Sequence, residues 1–128
     1  MQKVLIFPDP TTGGESYLPA AEKIIAGNPR QTLWMQYTDP TGQFCTGIWR
    51  GEPGKWRIHY TEEEFCQMTE GVSILTNDAG ETFTLRAGDS FVVPKGFSGT
   101  WEVVVTSTKR FVIFEATAGL ASSAIAPS

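Results

Sequence analysis

The sequence has a single histidine, His59, among its 128 residues. Metal centres that hold Mn, Fe, Ni or Zn through imidazole groups need several histidines, so the chain cannot build such a centre from histidine alone. Long apolar runs are also missing, because the apolar start at residues 3–7 is too short for a signal peptide core or a membrane span. We therefore expect a cytoplasmic protein with no membrane partner.

Positive charge is scarce, since 10 Lys and Arg residues against 14 Asp and Glu residues give a net charge of -4. Nucleic acids and anionic membrane surfaces both attract a basic footprint, which this composition lacks. We expect no nucleic acid as a partner, and a small-molecule ligand stays open. The two cysteines, Cys45 and Cys66, have neither the spacing nor the targeting context of a disulfide, so we expect free thiols.

The chain is rich in short β-type segments, in which β-branched and aromatic residues alternate with turn formers. Nine strands are predicted after residue 30, at residues 31–38, 44–50, 55–60, 65–70, 72–76, 82–86, 90–94, 99–104 and 109–116. Turn-forming residues at 39–42 and 77–80 predict two hairpins. So many short strands in one small domain indicate an all-β sandwich or barrel.

The N-terminal region has a different pattern. Residues 3–7 predict a strand, and residues 18–27 predict a short helix with Pro19 early and Gly27 at its end. The predicted organisation is an N-terminal strand and short helix over residues 1–30, a barrel over residues 31–116 and a flexible C-terminal tail over residues 117–128.

Charged residues on two neighbouring predicted strands mark a candidate site. Alternation places Arg57 and His59 on one face of their strand, and it places Glu64 and Met68 together on the next. If these faces point inward, the barrel interior holds a guanidinium, an imidazole and a carboxylate within reach of one another. Such an interior is a pocket rather than a core.

The spacing of these residues resembles the two motifs of the cupin superfamily. The first motif is Gly, five residues, His-x-His, three or four residues, Glu, six residues, Gly, and it is matched at Gly51, Arg57, His59, Glu64 and Gly71. The second is Gly, five residues, Pro-x-Gly, two residues, His, three residues, Asn, and it is matched at Gly88, Pro94 and Gly96. Gly99 stands at its His and Val103 at its Asn. The resemblance implies a double-stranded β-helix, or jelly-roll barrel, over about residues 31–116.

Within cupins, the segments 56–66 and 94–103 look like the branch named after ureidoglycine aminohydrolase, which includes ethanolamine-utilisation cupins. The resemblance implies a ligand pocket inside the barrel mouth and a homodimer built by strand exchange. It does not fix a substrate.

The chain departs from the cupin pattern at its metal ligands. Arg57 at the first ligand position brings a permanent positive charge that opposes a nearby divalent ion. We therefore expect no cofactor beyond a divalent transition metal held weakly by His59 and Glu64, at a site that is mostly unoccupied. An alternative metal site would draw on other donors, namely His59, Glu64 and Cys66 with Cys45 or Asp89.

Our first hypothesis is a small-molecule-binding cupin with a degenerate metal site. Its barrel would hold a small carboxylate or amine-bearing metabolite among Arg57, His59, Glu64, Met68 and Trp101. The simpler alternatives are a structural role for His59 and a surface pairing of Arg57 with Glu62 or Glu63.

Two further hypotheses remain open. The chain could be an enzyme related to ureidoglycine aminohydrolase, metal-dependent or not, acting on a small nitrogenous acid with His59 or Glu64 moving a proton. It could also be an interaction module in which an outward aromatic face, formed by Trp56 and Tyr60, meets a second copy of the chain.

Overall fold

The computed structural model of the protein describes residues 2–10 and 12–116, and the predicted tail at 117–128 lies outside them. The described residues form nine strands: β1 Glu15–Tyr17, β2 Ile24–Gly27, β3 Gln31–Thr38, β4 Phe44–Gly51, β5 Gly54–His59, β6 Glu63–Asn77, β7 Thr82–Arg86, β8 Ser90–Val93 and β9 Ser98–Phe114. One turn of 3-10 helix, Ala21–Lys23, precedes β2. No helix in this part of the chain is long and apolar enough to cross a membrane.

The two longest strands, β6 and β9, pair antiparallel along their whole length, from Glu63 opposite Phe114 to Asn77 opposite Gly99. Around one half of this pair, β4, β3 and β1 extend the sheet from β9, and β8 extends it from β6. Around the other half, β5 and β2 extend it from β9, and β7 extends it from β6. The sheet therefore forms two connected layers, which we call the β4 layer and the β5 layer.

The long strands pass from one layer to the other at an irregular stretch of β6. The pairing register shifts between Met68 and Ser73, and Gly71 lies in this stretch with a φ of 87°. A Cβ at Gly71 would lie 2.1 Å from the carbonyl oxygen of Thr106, which leaves no room for a side chain. Glycine at this position therefore permits both the bend and the close approach of β9.

The core lies between the two layers and is dominated by indole rings. Trp49 of the β4 layer lies 5.3 Å, centroid to centroid, from Trp101 of the β5 layer. Trp101 in turn stacks on Trp56, with ring centroids 6.3 Å apart and planes inclined by 18°. All three rings are fully buried, so they contribute a large share of the apolar area that holds the layers together.

Most of the barrel strands form where the sequence predicts them. The bounds of β3 and β7 match the predictions, and both predicted hairpins are confirmed by turn hydrogen bonds. Two pairs of predicted strands each form one continuous strand in the structure. The predicted strands at 65–70 and 72–76 are both part of β6, and those at 99–104 and 109–116 are both part of β9. Gly71 bends the first of these without ending it, because β9 bends alongside.

The N-terminal predictions are wrong. Residues 18–27 form only the 3-10 turn and then β2, because the segment from the β-branched Ile24 to Gly27 pairs with the edge of β5. Residues 3–7 form no strand, and Val4 and Ile6 are almost fully exposed. A β-forming sequence needs a partner edge, and these residues pair with no strand in the described part of the chain.

The bend at Gly71 can be tested by comparison with Gly80, which has the same φ of 87° but where an added Cβ would meet nothing within 4 Å. Gly80→Ala should cost about 1 kcal/mol of unfolding free energy through backbone strain alone. Gly71→Ala should cost about 3 kcal/mol or more, because it adds a clash with Thr106. Urea denaturation measures both values, and equal losses would contradict the close approach of the two strands.

Candidate functional site

The structure reverses the expected orientation of β5. Trp56 and Ile58 are buried, whereas Arg57 and His59 are exposed. The prediction that the guanidinium and the imidazole face the barrel interior with Glu64 is therefore wrong. Burying an indole and a branched aliphatic chain is favourable, and burying the two polar groups in their place would be costly.

The motif itself explains this error. It allows three or four residues before its glutamate, and counting three places the two ligand-equivalent positions at Ile58 and Tyr60, with six residues rather than five after Gly51. A slip of one residue along a strand moves every side chain to the other face. Ile58 and Tyr60 are both buried, so the three-residue spacing agrees with the structure.

Arg57 and the aromatic face also differ from their predicted roles. Arg57 pairs with Asp78 at 3.4 Å, rather than with Glu62 or Glu63, and both side chains of this pair are more than half exposed. Such a surface pair contributes little stability. Trp56 and Tyr60, expected to face outward toward a second copy, are buried in the core, so this version of the interaction hypothesis is wrong.

Glu64 points inward as expected, and its partner is a residue that the sequence left unassigned. Lys109 Nζ lies 3.1 Å from Glu64 Oε2, and both side chains are 0% exposed. Lys109 shares its face of β9 with the buried Phe111 and Ile113. That alternation could have placed Lys109 inside the barrel, although it could not have identified its partner.

The Lys109 ammonium is enclosed by two indole rings. It lies 4.3 Å from the ring centroid of Trp101 and 4.9 Å from that of Trp49. Burial alone would lower the pKa of Lys109, but the pKa is raised overall, and Glu64 at 3.1 Å is the partner that carries negative charge at neutral pH. Lys109 is therefore charged at neutral pH, balanced by Glu64 and the two indole faces. The predicted site residues Met68 and Trp101 are both buried around this ion pair.

Several polar atoms near the ion pair are buried without a hydrogen bond of regular geometry to any described residue. They are Tyr60 Oη, Trp56 Nε1, Trp101 Nε1, both carboxylate oxygens of Glu64 and Lys109 Nζ. Burial, followed by the charge of Glu64, raises the pKa of Tyr60 well above its ordinary value. Glu64 and Lys109 are each other's partner in the ion pair, whereas the indole N–H groups of Trp56 and Trp101 have no acceptor among the described residues, so the cluster keeps some capacity to bind a polar group.

Two more carboxylates are buried at the same end of the β6–β9 pair. Glu62 and Glu115 each lie one residue beyond the paired Glu63 and Phe114. Glu62 Oε1 accepts a hydrogen bond of 3.0 Å from the backbone N–H of Thr61. Burial and the charge of Glu64 raise the pKa of Glu62 to about 7.

The expectation of free thiols is confirmed, because Cys45 and Cys66 are both unpaired and buried. Burial raises the pKa of Cys45 to about 11 and raises that of Cys66 as well. Both thiols are therefore protonated at neutral pH, and a protonated thiol is not a nucleophile.

The described residues do not fit a cupin metal centre. They contain no group of three or more His, Cys, Asp or Glu side chains arranged to hold an ion. His59 lies on the face opposite to Glu64 and Cys66, which separates both predicted ligand sets. At Gly99, which stands at the histidine of the second motif, a Cβ would lie 1.8 Å from the carbonyl oxygen of Thr76, so this glycine serves the contact between β9 and β6.

An apolar cavity of about 350 Å³ opens beside the polar cluster, and we call it the β7–β8 pocket. Strands β7 and β8 both pair with β6 but not with each other. The lining residues are Leu75, Asn77, Phe83, Leu85, Phe91, Val92, Val93, Pro94 and Phe97. Phe97 meets the Tyr60 ring edge to face at 6.4 Å, and Val93 is paired with Glu64. The pocket thus lies next to the buried polar cluster.

Comparison with known families gives one match. The profile described as a EutQ-like cupin domain matches residues 38–111, which is more than half of the chain. No curated protein matches the chain.

Several solved structures share the architecture. An ethanolamine utilisation protein Q from Salmonella typhimurium LT2 is 22% identical with a TM-score of 0.61, and the similarity covers 68% of this chain and 71% of that one. The EutQ protein of Clostridium difficile is 15% identical with a TM-score of 0.62, over 69% of this chain and 64% of that one. A protein of unknown function from Pseudomonas syringae pv. tomato str. DC3000 is 18% identical with a TM-score of 0.72, over 80% of this chain but only 44% of that one. At these identities the comparison establishes the jelly-roll fold.

The raised pKa of Glu62 predicts a specific dependence of stability on pH. Its pKa is 4.5 in the unfolded chain and about 7 in the folded protein, so the folded state holds this proton more tightly. Ionisation of Glu62 therefore destabilises the fold progressively as pH rises from 4.5, and the loss is complete above pH 7.

Glu62→Gln removes this ionisation. Between pH 5 and pH 8 the unfolding free energy of the variant should therefore fall by about 1–2 kcal/mol less than that of the wild type. Urea denaturation at both pH values measures the difference. Glu63→Gln is the matched control, because Glu63 is the exposed neighbour and should leave the wild-type pH dependence unchanged. Identical behaviour of the two variants would contradict the assignment.

Proposed function

This chain belongs to the EutQ-like cupin family, and we propose that it is a small-molecule-binding protein whose ligand occupies the β7–β8 pocket. One observation carries the proposal: an open apolar cavity lies next to a cluster of buried polar groups, several of which make no hydrogen bond of regular geometry to a described residue. Small-molecule sites typically combine a mostly apolar wall with a few polar groups that fix the ligand's orientation. The volume of about 350 Å³ suits a small metabolite.

The lining of the pocket supports a ligand with an apolar body and one polar end. Among the described residues, no charged side chain lines the pocket, and three phenylalanines do: Phe83, Phe91 and Phe97. The polar end is a carboxylate or an amine directed at the buried cluster. A carboxylate would accept hydrogen bonds from Tyr60 and Lys109, whereas an amine would donate to Glu64.

The proposal is for binding rather than catalysis. His59 and Glu64, the expected proton-moving pair, lie on opposite faces of their strands. Membership of the ureidoglycine aminohydrolase branch, a homodimer and a cytoplasmic location stay predictions. The name of one structural neighbour refers to ethanolamine utilisation, which is a reason to include ethanolamine among the amines tested.

The ligand proposal predicts a shift in melting temperature with amphiphilic probes. A panel of hexanoate, phenylacetate, hexylamine, phenethylamine and ethanolamine, with acetate as a polar control, tests it by thermal melting and tryptophan fluorescence. At least one probe with an apolar body should raise the melting temperature in a concentration-dependent way, and acetate should not. No shift with any probe would remove the support for binding.

Phe83→Ala should weaken the probe that binds by about tenfold, because it removes an aromatic wall of the pocket. Phe44→Ala is the matched control, since Phe44 and Phe83 are both 39% exposed but Phe44 lies on β4, outside the pocket. Titration of both variants measures the effect. Equal affinity in the two variants would place the ligand elsewhere.

A further inference from the structure

We propose that the barrel interior is a cation-binding cage formed by Glu64, Trp49 and Trp101, and that the ammonium of Lys109 is its built-in occupant. The cage belongs to the class of sites that recognise alkylammonium ions. This inference does not depend on the ligand proposed for the β7–β8 pocket.

The contacts of Lys109 are those of a bound cation. A carboxylate oxygen lies 3.1 Å from Nζ on one side, and two indole faces lie 4.3 and 4.9 Å away. The faces of indole rings carry negative potential, which attracts an ammonium more strongly when water is excluded. Glu64 and Lys109 are both 0% exposed, so the interaction takes place away from solvent.

The two indole walls of the cage are held in place by contacts that do not involve Lys109. Trp49 Nε1 donates a hydrogen bond of 2.8 Å to Gln31 Oε1, which fixes the tilt of its ring. Trp101 stacks on Trp56 on its other side. The aromatic part of the cage is therefore organised independently of its occupant, which favours binding.

The strand arrangement brings the cage together from both layers. Glu64 comes from β6 and Trp49 from β4, while Lys109 and Trp101 come from the two halves of β9. Because β9 runs through both layers, its single lysine reaches a space walled by both. Lys109 is directly paired with Trp49 in one direction and with Met68 in the other.

This occupancy accounts for the disagreement with metal-binding cupins. Glu64 is the motif carboxylate that this chain keeps in the interior, and a tethered ammonium already neutralises it. A divalent ion would have to displace that ammonium and would find no imidazole beside Glu64. The chain thus replaces an exchangeable cation with a covalently attached one.

Chemical rescue tests the cage directly. Lys109→Ala removes three methylenes and the ammonium, which together correspond to n-propylammonium. We expect this variant to melt at a lower temperature than the wild type, because Glu64 is left buried without a cation. n-Propylammonium chloride should raise its melting temperature in a concentration-dependent way, while equimolar sodium chloride and 1-propanol should not. The wild type should not respond.

A variant pair keeps the test decisive if Lys109→Ala does not fold. Lys109→Met retains the apolar stem and leaves Glu64 unpaired, and it should melt below the wild type. Adding Glu64→Gln to Lys109→Met removes the buried charge and should recover most of the loss. Three outcomes would overturn the proposal. The first is a rescue by n-propylammonium that persists when Glu64 is also replaced, and the second is no rescue at all in folded Lys109→Ala. The third is equal melting of the single and double variants.

Metal titration of the wild type provides an independent test. Equilibrium dialysis against Mn²⁺, Ni²⁺ and Zn²⁺ followed by elemental analysis should give no stoichiometric metal that depends on Glu64. The variants Glu64→Gln and His59→Ala separate the interior from the surface, since His59 is exposed. Stoichiometric metal that is lost in Glu64→Gln but kept in His59→Ala would contradict a cage filled by Lys109.

Discussion

The buried ion pair of Glu64 and Lys109 constrains the two layers of the barrel together. Two charges removed from water are favourable only if geometry and neighbouring groups compensate their desolvation. Here the compensation comes from Trp49 in one layer and Trp101 in the other, so the charges require both layers to be in place. The bend of β6 at Gly71, with β9 bending alongside, is what allows the two long strands to serve both layers.

The sequence predicts those parts of the fold that depend on local interactions. The hairpins follow from turn residues that hydrogen-bond within a few positions, and β3 and β7 follow from alternation and from their flanking turns. The predicted helix at residues 18–27 fails because Ile24–Gly27 has a distant partner, the edge of β5. Helical propensity is a weak preference that pairing with an edge strand overrides.

The site is less predictable than the strands. Motif spacing locates a strand in the sequence, but it does not determine which face of that strand points inward. The cupin motif tolerates one extra residue before its glutamate, and that single residue decides whether Arg57 and His59 or Ile58 and Tyr60 point inward. The apolar character of Trp56 and Ile58 decides it in the structure. For Lys109 the face is predictable and the partner is not. Alternation with Phe111 and Ile113 indicates that Lys109 is buried, but Glu64 lies 45 positions away in the sequence, so no local pattern connects the two.

The barrel interior and the β7–β8 pocket have different properties that a binding protein needs. An ammonium tethered to β9 cannot leave the barrel, so the interior supplies fixed charge and orientation rather than exchange. Exchange requires an open surface, and the gap between β7 and β8 provides one, with walls that carry no charge among the described residues. Tyr60 connects the two, because its ring contacts Phe97 at the pocket while the charge of Glu64 acts on its hydroxyl. The Tyr60 hydroxyl lies behind the pocket wall, and its raised pKa means that toward a ligand reaching it from the pocket it would donate a hydrogen bond rather than transfer a proton.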